Sequence, residues 1–111
     1  MSVTLEKVKR LEQYLSVEHA IANPVLDMTL TKLLQREADR ISALKARLVE
    51  QLGEFEQRYS LPSAEFYTQY EQGKMGDDTD FIEWAATIEM LNHIETQLNM
   101  LETASLYESG N

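Results

Sequence analysis

The chain has 111 residues, a formal net charge of −9 and no cysteine, which allows one modest domain and excludes disulfides and thiolate metal sites. Two prolines and four glycines among abundant Leu, Glu, Gln and Ala point to an all-helical chain. No apolar run approaches the ~20 residues of a membrane span, and the opening MSVTLEKVKR alternates apolar and charged residues unlike a signal peptide, so a soluble cytoplasmic protein is expected.

The first predicted helix runs from Thr4 to about Ala22, within an N-terminal segment of residues 1–22. Leu5, Val8, Leu11 and Leu15 recur at helical spacing, Tyr14, Val17 and Ile21 widen the stripe, and Ser2 or Thr4 is the expected cap. His19 near its end reads as a surface residue suited to the helix dipole. Asn23-Pro24 breaks this helix and starts the next, Asn as cap and Pro at the first helical position. The second helix is predicted over residues 24–59. Leu34, Ile41, Leu48 and Phe55 keep a seven-residue spacing, with Ala38, Lys45, Leu52 and Tyr59 at the companion positions. Gly53 lies inside this seam; close helix approach and simple tolerance both account for it.

Ser60-Leu61-Pro62-Ser63 ends the long helix. Ser63 is the expected cap of a short helix over 63–72, whose apolar side is Phe66, Tyr67 and Tyr70, and Gly73 the residue that stops it. Lys74-Met75-Gly76 is a turn, and Asp77 or Asp78 caps a last helix over 78–106. Trp84, Ile88, Leu91, Ile94, Leu98 and Leu101 form its stripe, and the chain from Glu108 onward is expected to fray. Neither long helix satisfies its apolar face alone. The expected fold is therefore all-α: a long helical hairpin, an antiparallel coiled coil, with an N-terminal helix as third member and the short helix plugging the turn. The seam offers more stripe than one short partner covers, so a homodimer is also expected.

Charge is unevenly placed. Residues 1–59 hold nine Lys/Arg and nine acids, whereas residues 60–111 hold Lys74 against ten acids. The second half repels phosphates, which disfavours direct nucleic-acid binding, and it suits a basic protein partner. Asp77, Asp78 and Asp80 invite a metal reading, but counted from Asp78 the fifth and sixth positions are Ile82 and Glu83, so the calcium-loop pattern fails and helix capping is favoured. Glu89 and His93 stand four apart rather than at the three-residue step of di-iron bundles. No nucleophile elbow, phosphate loop or HExxH motif is present, so no enzyme activity, cofactor or metal is expected. The aromatics Phe66, Tyr67, Tyr70, Phe81 and Trp84 read as a local core, or as a recognition patch if one face stays open.

The run FEQRYSLPSAEFYTQYEQGKMGDDTDFIEW resembles a group of small all-helical proteins of cyanobacteria and archaea sharing FE-x-RY and GDD-x-D-F-x-EW, over about residues 24–101. Its pattern falls on Phe55, Glu56, Arg58, Tyr59, Phe66, Tyr70, Glu71, Gly73, Gly76, Asp77, Asp78, Asp80, Phe81, Glu83 and Trp84, followed here by the small run Ala85-Ala86-Thr87. The resemblance implies the antitoxin-like half of a toxin–antitoxin pair and no catalytic residues. Two functions are expected in competition: a protein-binding module that masks a basic partner such as a toxin or nuclease, and a self-assembling scaffold. For the first, the partner-facing residues are Tyr67, Tyr70, Asp77, Asp78, Asp80, Glu83, Glu95 and Glu102.

Overall fold

The computed structural model describes the backbone of residues 2–17 and 24–109, with side chains as far as Glu102. Four helices follow in order: α1 (Val3–Val17), α2 (Pro24–Tyr59), α3 (Ser63–Glu71) and α4 (Thr79–Ser109). The expectations placed on His19, Ile21, Asn23 and the chain after Ser109 lie outside the described residues. The chain divides into two compact units, residues 1–30 and residues 31–111.

In the first unit the Ser2 hydroxyl accepts the Leu5 N–H at 3.3 Å, which makes Ser2 rather than Thr4 the cap of α1. No residue of α1 is buried, and Leu5, Val8 and Tyr14 are at least half exposed.

The second unit is a helical hairpin. Leu52 and Phe55, near the end of α2, share a core with Phe66 of α3 and with Trp84 and Ala85 at the start of α4. Ile41 and Leu48, earlier in α2, pack with Ile94 and Leu98, later in α4. That order is antiparallel. Of the seam offered to a second copy, Ile41, Leu48 and Phe55 are buried within the hairpin, while Leu34 is half-buried on an open groove. α2 passes through Gly53 unbroken, and a Cβ there meets nothing within 4 Å, so no close helix approach explains this glycine and its presence is tolerance.

Two reversals build the hairpin's tip. At the end of α2, Ser60 takes a left-handed φ of 50° and the Leu61 N–H donates to the Glu56 carbonyl at 3.3 Å. At the end of α3, Gly73 has φ 74°, its N–H reaches the Tyr70 carbonyl at 3.0 Å, and the Lys74 N–H reaches that of Gln69 at 3.0 Å. Both are Schellman closures, which satisfy the last helical carbonyls and need a left-handed residue. Ser63 is not the cap of α3, as expected, but its first residue; Pro62 occupies the cap position and has no side-chain donor or acceptor to offer. The Glu56 carboxylate takes over, accepting the Ser63 N–H at 2.8 Å.

Candidate functional site

The tip of the hairpin gathers most of the residues singled out in the sequence. Trp84 and Phe66 are fully buried and stack face to face, ring centroids 3.9 Å apart and planes 3° from parallel. Phe55 stacks against Trp84 at 5.5 Å, Tyr59 lies 5.8 Å from Trp84, and Phe81 bridges Tyr59 and Phe66. The indole Nε1–H donates to the Ser63 hydroxyl at 3.0 Å, which spares a buried donor and ties α4 to α3. Of the two readings of the aromatic cluster, Phe66 and Trp84 are core, whereas Tyr67 and Tyr70 are half-buried and keep one side open. Ala85 belongs to the same core, so a small residue after the tryptophan lets α3 and α4 pack around Phe66.

The three aspartates of the turn have separate jobs. Asp78 caps α4: its carboxylate accepts the Asp80 N–H at 2.9 Å, and its carbonyl accepts those of Phe81 and Ile82. Asp80 faces back across the tip, where one carboxylate oxygen accepts from Arg58 at 2.9 Å and from the Tyr59 hydroxyl. Asp77 is exposed in the loop. Among the described residues no three His, Asp or Glu side chains gather as metal donors.

The hydrogen bonds from Tyr59 and Arg58 hold the Asp80 carboxyl below the usual carboxylate range. The same bond, with partial burial, raises the Tyr59 hydroxyl, and Asp80 raises the Arg58 guanidinium further. A depressed acid stabilises the fold above its unfolded value and loses that contribution as pH falls through its folded value. A raised tyrosine does the opposite at the alkaline end. Replacing Asp80 with Asn is therefore expected to lower Tm by a steady amount between about pH 5 and 9, with the difference from the parent closing below about pH 4 and above about pH 10. Melting curves across pH check this, and a gap that stays undiminished as pH falls well below about 4 contradicts it.

The other candidates are spread along the surface. Burial first, and then the charges of Glu71 and Glu89, raise the Tyr67 hydroxyl, which places that phenol on the acidic side of α3 and α4. Glu83 and Glu95 are exposed on α4. Glu102 stands at the open end of the hairpin, on the rim of a groove of roughly 250 Å³ lined by Leu34, Ala38, Leu98 and Leu101, with Asp39 also on its rim. This groove is open and smaller than ordinary ligand pockets, and Gln35 and Ser42 complete its lining. Among the described residues the only ion pairs within 4 Å are Arg40–Glu37 on one helix and Arg58–Asp80 across the tip. Among the described residues, the pairing of α4 acids with Arg36, Arg40, Lys45 and Arg47 that solubility alone invites is not formed within 4 Å. Sequence reasoning missed Glu56 as a cap and Arg58 and Tyr59 as partners of Asp80. Their only signal was the spacing that puts Glu56, Arg58 and Tyr59 on the last turn of α2.

No protein-family model, curated protein or solved structure matches the chain.

Proposed function

We propose that this chain is a non-enzymatic protein-binding module that takes a basic protein partner through its acidic second half, in the manner of an antitoxin masking a toxin. The observation that carries this reading is the state of the acids. Asp78 and Asp80 are used by the fold, while Asp77, Glu83, Glu95 and Glu102 stand exposed and outside any ion pair within 4 Å. Exposed pairs contribute only about 0–1 kcal/mol each, so folding alone does not call for such an excess. Electrostatic steering does, and it fades as salt screens charges over roughly 8–10 Å. Reversing Glu95 and Glu102 to Lys is expected to slow association with the basic partner at low salt while moving Tm by no more than a few degrees. Unchanged association, or a shift of a DNA or RNA probe by the parent protein, contradicts the proposal.

A second reading, self-assembly, is favoured by one observation: the stripe of α1 contains no buried residue. Val3, Leu5 and Val8 of α1 are exposed and offer an apolar face to a second copy. Sedimentation equilibrium at micromolar concentration is expected to give twice the 12.8 kDa of one chain. A single-chain mass removes this reading.

A further inference from the structure

Amphipathic helices on a hairpin ordinarily turn a polar face to water, and a helix apolar on both sides ordinarily has neighbours on both. α4 is of the second kind. Its inner side is spent on α2 and α3, with Trp84, Ala85, Ile94 and Leu98 buried. Its outer side repeats the pattern: Ile82, Ala86, Met90, His93, Gln97 and Met100 follow at steps of four, four, three, four and three. At about 100° per residue these six fall within an arc of about 80°, a lane roughly 27 Å long. Ile82, Met90 and Met100 on it are 49%, 50% and 68% exposed. No Asp, Glu, Lys or Arg interrupts the lane. Glu83 borders it on one side and Glu89 on the other.

We infer that this lane of α4 is the docking surface of the proposed binding module, and that it takes an amphipathic helix of the partner whose apolar stripe is flanked by Lys and Arg. The inference rests on that functional reading and names the surface within it. Two features select this occupant. α4 contains no Lys or Arg, so an uncharged apolar stripe between Glu83 and Glu89 complements an apolar stripe between basic residues. The same feature argues against a second copy seated through its own α4, which sets Glu83 and Glu89 against the same acids, the cation at the lane's far end, Arg40 of α2, being already paired with Glu37. Met90 and Met100 are unbranched and adapt to the side chains of a docked helix. The lane's far end opens into a shallow hollow of about 270 Å³ lined in part by Ile41, Gln97 and Met100, which gives the helix a seat at its end.

The chain's methionines make the test direct. Met75 packs at the tip, Met90 and Met100 lie on the lane, and Met28 is exposed near the start of α2. The full chain, carrying ¹³C-methyl methionine, is titrated with a synthetic 18-residue helical peptide bearing leucines on one face and Lys/Arg on its flanks. Its counterpart with Glu on the flanks serves as control. Saturable movement of the Met90 and Met100 methyl signals by the basic peptide is expected, with Met75 and Met28 still. The double reversal Glu83→Lys with Glu89→Lys is expected to weaken binding about fivefold, in line with two rim charges. Met90→Lys, an exposed position that leaves the melt intact, is expected to abolish binding. Movement of Met75 alone overturns the lane and leaves the broader reading standing, with the tip as its surface. Equal binding of the acidic peptide overturns both. Movement of Met90 and Met100 with protein concentration and no peptide assigns the lane to a second copy and overturns the inference, as does undiminished binding by Met90→Lys.

Discussion

Replacing Trp84 with Ala is expected to destabilise the protein by about 3–5 kcal/mol. The indole is fully buried. It stacks on Phe66 and Phe55 and donates to Ser63, so its removal takes away its ring contacts with α2 and α3 and leaves a cavity where α4 meets them. Parent fluorescence is expected to be blue-shifted and poorly quenched, since this is the only tryptophan. Trp84→Phe separates the two contributions: it keeps a stacked ring and loses the hydrogen bond, and is expected to cost less than Trp84→Ala. Emission typical of indole in water, or a melt unchanged by Trp84→Ala, contradicts the packing described.

The second large effect is local. Phe66 is the only buried residue of α3, and the nine-residue helix is too short to persist in water by itself. Phe66→Ala is expected to cost about 3–5 kcal/mol, and to do so unevenly. Amide exchange in α3 and the following turn is expected to rise first, because those residues hold to the hairpin through this ring. The shaft around Ile41, Leu48, Ile94 and Leu98 forms a separate cluster and is expected to keep its protection near the parent level. Uniform loss of protection along α2 and α4 contradicts the division into tip and shaft.

These two residues also show what the sequence made legible. The bounds of α2 were readable to the residue, because Pro24 preorganises a first turn and Ser60-Leu61-Pro62 forbids continuation. The hairpin was readable from periodicity, since Ile41, Leu48 and Phe55 on one helix and Trp84, Ile94 and Leu98 on the other each need a cover. The turn aspartates were readable as capping acids, and Asp78 fills that role. Contacts made across the tip were less visible. That Asp80 answers Arg58 and Tyr59, and that Glu56 caps a different helix, depends on how two reversals bring separate segments together. Spacing within one helix carries no record of that. The outer lane of α4 was overlooked for another reason. Attention to the stripe that builds the core hides a second stripe of the same period on the opposite side, and only exposure of Ile82, Met90 and Met100 in the folded chain separates the two.

The claim at the centre of this account is that the acidic half serves a basic protein. Purification of the native chain from its host at low salt tests it most directly, with bound proteins identified by mass and released by raising the salt. A stoichiometric companion of net positive charge that leaves the complex as ionic strength rises is expected. A chain that purifies alone at low salt, or with an acidic companion indifferent to salt, contradicts it.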